Sequence, residues 1–421
     1  MNKKVLSFIV WTSLLFLTGI TAGLVASLLT ELISFIQALS FGYKEGSFSQ
    51  QIALVSPSRR FISVTLAGCL AAFGWYFTFK YAKKIETIKD IVHKKAKVNP
   101  LSNFIHGMLQ LITVSMGSPL GREGASREVA VSITALWLNY IPLKKDDISL
   151  LLACASGAAL GAVYNAPLAT IIFIIESILL KWSLRNLYAA LITSFIAVWT
   201  VRLLVGSLVQ YQLAPLNWNL SLFVWTIFAG FLLSIIIFGY KSLLLAIPKH
   251  QPASFKFIYS TIIAFVIAAS ISIFFPHILG NGKAGLLYYL HSDFQLSYVS
   301  LLLLAKALTV FIIFYAGAYG GRIAPSMMMG GGLGLLFSQL WNHTFQVKLP
   351  IQFAVIIGAA LFLALINNIP LAASLFLIEI TGQPLINILP IALAILIGFM
   401  TQKYLLRINK LLTIRKKTEK T

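Results

Sequence analysis

The chain has 421 residues, of which 58% are hydrophobic and 11% charged, and its mean hydropathy is +0.87. Soluble domains carry about 25% charged residues, so the composition excludes an ordinary soluble domain and points to an all-α integral membrane protein. The net charge of +21 is what lysines and arginines on cytoplasmic loops produce. With no long polar basic domain, no nucleic-acid partner is expected.

The first apolar segment, 5–41, follows Lys3 and Lys4. It is longer than a signal-peptide core and lacks a clear small-residue cleavage site, so it is read as a retained span. Segments at 60–82, 101–118, 123–141, 147–164, 166–181 and 185–205 complete a first repeat, 1–205. A linker, 206–218, leads to a second repeat, 219–406, with segments at 219–247, 257–277, 298–316, 323–341, 351–367, 369–381 and 386–406. A basic tail, 407–421, follows. Several segments are too short for a full crossing and read as broken or tilted helices. Cys69 and Cys154 lie in apolar segments without metal-ligand partners, and the six histidines form no HExxH pair. Packing cysteines are therefore expected, with no metal and no cofactor.

The two halves repeat each other. "NAPLATIIFIIE" at Asn165–Glu176 and "NIPLAASLFLIE" at Asn368–Glu379 share N-x-P-L-A-x-x-x-F-x-I-E, 203 positions apart. Gly117, Gly121, Arg122 and Ser126 of "GSPLGREGAS" reappear 200 positions later as Gly317, Gly321, Arg322 and Ser326 of "GAYGGRIAPS". Two motifs in one order at nearly one offset indicate duplication.

Loop charge sets the relative orientation. The 83–99 loop carries six lysines, whereas its counterpart near 278–297 carries Lys283 alone. The linker from Gly206 to Trp218 has no Lys or Arg, and the tail reads "RINKLLTIRKKTEKT". The 83–99 loop, the tail and both termini are placed in the cytoplasm and the linker outside. Equivalent loops then face opposite sides, so the fold is an inverted-topology repeat.

Inverted repeats place substrate near the bilayer midplane, where broken helices aim their ends at it. A helix N-terminus offers unpaired N–H groups and about half a positive charge, which suits an anion. Two G-x-x-x-G-R stretches, each before a new apolar segment, would bring two such helix starts together. The competing reading gives these glycines to close helix packing. Repetition, the attached Arg and the lone Glu123 favour the anion site. Ionised, Glu123 would compete with the anion; protonated, it would vacate the site, which makes it a candidate gate.

"GSPLGREGAS", "YNAPLATIIFIIES" and "GGRIAPSMMMGG" together resemble the CLC family of chloride channels and proton-coupled chloride transporters, in order and spacing across nearly the whole chain. The resemblance implies a homodimer of inverted-repeat subunits in the cell's inner membrane, each with its own anion pathway. Glu123 matches the family's gating glutamate. Gly321-Arg322-Ile323-Ala324-Pro325 matches its second anion-binding helix start. The implied anion-binding set is Gly121, Arg122, Gly124, Gly321, Arg322, Ile323, Ala324 and Thr87, with Glu123 and Glu176 on a proton pathway. The expected partners are chloride or another halide, protons and membrane lipid.

The chain also departs from the family pattern. Ala125 replaces a proline, and Arg127 and Glu128 follow, for which a local ion pair is the simple explanation. "IETIK", Ile85 to Lys89, maps onto the serine-bearing loop and puts Glu86 at the hydroxyl position, with Thr87 beside it. The tyrosine that caps the inner pathway maps near Leu385. The family's proton-transfer glutamate maps to Ser177; Glu176 precedes it, but its repeat mate Glu379 favours a structural role. The larger members' cytoplasmic nucleotide-binding pair is not expected after residue 406.

Chloride transport is the main expectation. Transport of fluoride or another halide is the alternative, and a non-transporting relative is a third reading. An intramembrane enzyme with Glu123 or His106 as acid or base ranks last, because the spans hold no GxSG nucleophile or paired acidic motif.

Overall fold

The computed structural model describes residues 3–42, 51–207, 209–248, 251–291 and 294–418. Sixteen α-helices are described, eight in each half. The first eight are α1 (Lys3–Phe41), α2 (Pro57–Tyr81), α3 (Ile88–His93), α4 (Pro100–Ser115), α5 (Glu123–Leu138), α6 (Lys145–Tyr164), α7 (Pro167–Phe173) and α8 (Leu184–Leu204). The second eight are α9 (Leu220–Leu245), α10 (Phe255–Phe274), α11 (Lys283–Leu290), α12 (Leu296–Tyr315), α13 (Ile323–Phe345), α14 (Ile351–Asn367), α15 (Pro370–Thr381) and α16 (Ile388–Thr418). Among the described residues, nine are long and apolar enough to cross a membrane: α1, α2, α6, α8, α9, α10, α12, α13 and α16. The multi-pass, all-α architecture expected from composition is present, and each of the fourteen apolar segments forms a helix.

The segments 83–99 and 278–297 differ from expectation. Read as plain loops, they contain the short helices α3 and α11. Six and eight residues are too few for a hydrophobic period to show, and α3 is nucleated locally by its Thr87 cap.

Close approach between helices comes from small residues, as in other membrane bundles. Gly330 and Gly334 of α13 lie directly on the backbone of α14 at Gly358 and Ala354. Gly19 and Gly23 of α1 face Ile196, Ala197 and Thr200 of α8. One buried cation ends on carbonyls. Fully buried Lys306 donates from Nζ to Ile278 O at 2.8 Å and Gly280 O at 3.0 Å, holding the turn before α11.

The duplicated N-x-P-L-A…E motif is a helix break with its own repair. Asn165 and Asn368, both at φ +57°, end α6 and α14 in the left-handed conformation that asparagine tolerates. Pro167 and Pro370 then start α7 and α15, where a missing N–H costs nothing. The first amides of each restarted helix lie inside the bundle and need an acceptor. Each half supplies it to the other. Glu176 accepts from Leu371 N at 3.0 Å and Ala372 N at 2.8 Å. Glu379 accepts from Leu168 N at 3.0 Å and Ala169 N at 2.7 Å. This reciprocity is what a two-fold relation between the halves requires.

Residues 209–218 are pinned to the turn between α15 and α16. Tyr211 N donates to Ile380 O at 3.0 Å, and Leu216 N to Gln383 Oε1 at 2.8 Å. Asn387 Nδ2 returns a bond to Leu216 O at 2.8 Å.

Glu176→Ala and Glu379→Ala each strand two amides in the bundle and are expected to lower stability by about 2 kcal/mol. Thermal unfolding of the purified variants in detergent reads this; an unchanged midpoint for both would refute the capping role.

Candidate functional site

The second duplicated motif brings two helix starts face to face. α4 and α12 end at Gly117 and Gly317, at φ +109° and +90°, a backbone region that only glycine enters freely. The chain then leads through a short non-helical segment to Arg122 and Arg322, the N-cap residues of α5 and α13, neither of which caps its own helix with its side chain. Just before them, Gly121 N donates to Gly321 O at 2.8 Å, and Gly321 N to Gly121 O at 2.7 Å. This antiparallel bridge fixes the two starts against each other.

The Glu123 side chain fills the space between them and is 1% exposed. Its Oε1 accepts from the Tyr164 hydroxyl at 2.7 Å and from Ala324 N, in the first turn of α13, at 2.8 Å. Its Oε2 has no hydrogen-bond partner among the described residues and rests against the two bridge glycines, where a Cβ on either would collide with it. Arg127 and Lys306 lie within Coulombic reach of this carboxylate. A carboxyl group thus already sits where two helix starts meet.

On one side of Glu123 a cavity of about 500 Å³ opens. Its wall includes Glu123, Gly124, Ser177, Gly321 and Ile323, together with Lys89, Arg127, Lys241 and Arg322. The last three cations are held by neutral partners. Arg127 donates from Nε to Ser156 Oγ at 3.1 Å and lies over the Phe173 ring. Lys241 donates to Leu365 O and to Asn368 Oδ1 at 2.8 Å. Arg322 lies over the Phe314 ring, 4.9 Å from its centroid. Among the described residues none of the four cations is in an ion pair; Arg127 lies within Coulombic reach of Glu123 and Glu128, and the four cations outnumber the one carboxyl on the cavity wall. At an effective dielectric constant of about 20, a cation about 8 Å away attracts a unit anion by about 2 kcal/mol. A helix start contributes about 0.3–1 kcal/mol. The cavity wall is therefore electropositive, and each helix start adds a short-range preference for negative charge.

A family model described as "voltage gated chloride channel" matches residues 67–403 of the chain. The chain belongs to this family, the CLC proteins. A ClC-type chloride channel named ClcB from Escherichia coli K12 is 25% identical over 389 residues, which is 87% of this chain and 89% of that protein. Its namesake from Citrobacter koseri is 23% identical over 379 residues, with the same coverage. Among solved structures, a slow cyanobacterial Cl⁻/H⁺ antiporter superposes with a TM-score of 0.80 at 18% identity, covering 94% of each chain. A CLC-type fluoride/proton antiporter gives 0.67 at 17% identity, over 96% of this chain and 98% of the other.

Within this CLC chain, Gly121, Glu123, Gly124, Gly321, Arg322, Ile323 and Ala324 all gather at the two helix starts or the cavity. The duplicated arginines separate: Arg322 lines the cavity, whereas Arg122 is 4% exposed and lies outside the described lining. Thr87, read as an anion ligand, instead caps α3. Its hydroxyl donates to Asp90 Oδ2 at 2.6 Å and accepts from Asp90 N at 3.2 Å. Lys94 and Thr87 hold the Asp90 carboxyl below its ordinary value. Glu86 pairs with Lys84 at 2.8 Å, and the next residues, Ile88 and Lys89, are the ones that reach the cavity wall.

Two other positions differ from expectation, and Glu176 makes the structural contacts that its repeat mate Glu379 favours. Glu176, placed on a proton pathway by resemblance, has both oxygens on the α15 amides, while Ser177 lines the cavity. Leu385 is exposed in the turn beside the 209–218 segment and is not part of the cavity wall. Glu128 does not pair with Arg127. It meets His106 Nδ1 at 2.5 Å, and Gln110 Nε2 stands 3.1 Å from the same nitrogen. The His106 ring packs at 4.6 Å, edge to face, against Tyr319.

Sequence reasoning missed Tyr164, although it stands directly before the duplicated Asn165. It is 2% exposed, ends α6, and packs its ring edge to face on Phe376 at 4.9 Å. Its one signal was a hydroxyl-bearing side chain at a helix break.

Gly321→Ala is expected to evict the Glu123 carboxylate from Ala324 N. A structure of the variant should show the side chain rotated away; a carboxylate still bridging Tyr164 and Ala324 would refute the glycines' role as its seat.

Proposed function

We propose that the chain carries a small inorganic anion, chloride foremost, across the membrane, along a route that runs from the cationic cavity past Glu123. One observation carries this reading: where the two duplicated helix starts meet, a carboxylate oxygen occupies the point on which an α13 amide and the Tyr164 hydroxyl converge, at the head of a cavity lined by four cations. Oxygen anions and halides compete for such donors. Ionised Glu123 blocks the point, and protonation weakens its hold on Ala324 N and lets the anion in. In this scheme Gly121, Gly124, Gly321, Ile323 and Ala324 shape the site, and Arg322 draws the anion toward it. Glu123 carries the proton, and Glu176 is assigned to capping. Binding and release of a proton at the gate supports proton coupling. No enzymatic role is assigned to Glu123 or His106.

The six lysines of the 83–99 loop support placing the cavity mouth, the tail and both termini in the cytoplasm, with the 206–218 linker outside. Residues 1–205 and 219–406 are then the two inverted membrane repeats. The family and the bacterial origin of the relatives support a homodimer in a bacterial inner membrane. Fluoride is the second reading. The Thr87 hydroxyl is occupied, position 385 is leucine, and a structural neighbour is named as a fluoride/proton antiporter.

Purified protein in liposomes, assayed for chloride and fluoride efflux with simultaneous proton uptake, tests both readings. Chloride efflux that accelerates on acidification is expected, and Glu123→Ala should remove both the pH dependence and the proton uptake. Fluoride efflux alone would select the second reading, and absence of flux for either halide would leave a non-transporting relative. Unchanged rate and pH dependence in Glu123→Ala would refute the gate.

A further inference from the structure

We propose that the Tyr164 hydroxyl is itself an anion ligand, exchanging Glu123 for the transported ion. This rests on the anion-pathway reading above and adds a residue to its site.

The Tyr164 hydroxyl and Ala324 N converge on a single point, now held by Glu123 Oε1 at 2.7 and 2.8 Å. A carboxylate oxygen there stands in for any compact anionic acceptor. Both donors are fixed independently of Glu123. Ala324 N belongs to the first turn of α13. The Tyr164 ring is buried against Phe376, and its backbone is set by the left-handed cap at Asn165. When the carboxylate leaves, the hydroxyl keeps its position but loses its acceptor. An unsatisfied buried donor is unfavourable, and an incoming anion relieves it. The hydroxyl thus favours two occupants, gate or ion, over an empty site.

The alternatives for this role are already engaged. Thr87 is bonded to Asp90, and position 385 carries an exposed leucine beside the 209–218 segment. Of the hydroxyl-bearing residues near the two helix starts, Ser126 bonds Glu123 O within its own helix, whereas Tyr164 reaches across 41 positions to the carboxylate. A hydroxyl donor also discriminates among anions. It strengthens binding of compact, strongly hydrated ions such as chloride and fluoride more than that of diffuse ions such as thiocyanate, whose charge is spread.

The decisive background is Glu123→Ala, in which no carboxylate competes for the point. Chloride and thiocyanate binding to detergent-purified Glu123→Ala and Glu123→Ala/Tyr164→Phe proteins is measured by calorimetry. Removing the hydroxyl is expected to weaken chloride binding about tenfold or more and thiocyanate binding less than about threefold. If Tyr164→Phe alters transport in the wild-type background but leaves chloride binding to Glu123→Ala unchanged, the tyrosine only positions Glu123 and the ligand role is overturned. If Glu123→Ala binds no chloride, the anion-pathway reading fails and this inference with it. Crystals of Glu123→Ala grown in bromide provide a test independent of the double variant's folding. Anomalous density within hydrogen-bond distance of Tyr164 Oη and Ala324 N is expected, and density confined elsewhere overturns the proposal.

Discussion

A helix that begins inside a lipid bilayer exposes amides that water cannot reach, and each must find an acceptor within the protein. That constraint organises this molecule. Three helices begin at the duplicated motifs with a carboxylate from the opposite half on their first turn. Glu379 serves α7, Glu176 serves α15, and Glu123 serves α13. The first two carboxylates each hold two amides with both oxygens. Glu123 holds one amide and one hydroxyl through a single oxygen, and its other oxygen lies against glycine. Two of these contacts are built to last. The third is the weaker attachment, and it is the one that stands at the head of a cationic cavity.

Duplication explains the frame, and its failure at one position explains the function proposed for it. Gly121 pairs with Gly321 and Arg122 repeats as Arg322, but the mate of Glu123 is Ile323. The start of α5 therefore receives no counterpart to the carboxylate that α13 receives. The arginines diverge in environment as well, one buried and one facing the cavity. A strictly symmetric pair of starts would be blocked twice or not at all. A single gate requires one half to lose its carboxylate.

The helices and the repeat were legible in the sequence because each rests on a one-dimensional signal: long apolar runs, and N-x-P breaks recurring at a fixed offset. Glu123 was legible because a lone carboxylate among glycines is costly in a membrane. The remaining features depend on contacts between distant positions. Nothing near Tyr164 in the chain reveals that it meets Glu123, 41 positions earlier. The expected Arg127–Glu128 pair failed because adjacent residues on a helix point to different faces; His106 on α4 took the carboxylate and Phe173 on α7 took the guanidinium. Thr87 was placed by order along the motif, but Asp90 three residues on claimed its hydroxyl, as helix caps do.

The two sides of Glu123 are built differently, and this bears on direction. Toward the lysine-rich 83–99 loop lies the open cavity with its four cations. Toward the other side, polar residues cross-link the structure. Gln210 donates to Val163 O, next to Tyr164, at 3.3 Å and accepts from Lys283 Nζ at 3.2 Å, while Tyr211 is buried and bonded to Ile380 O. The segment joining the halves is thus pinned near the gate's hydroxyl partner, on the side that carries little basic charge. On the proposed route, an anion from the cavity would meet attraction up to Glu123 and hydrogen-bonded structure beyond it. Displacing the carboxylate alone would bring the ion to Tyr164, and passage further would require the contacts around Gln210 to yield as well.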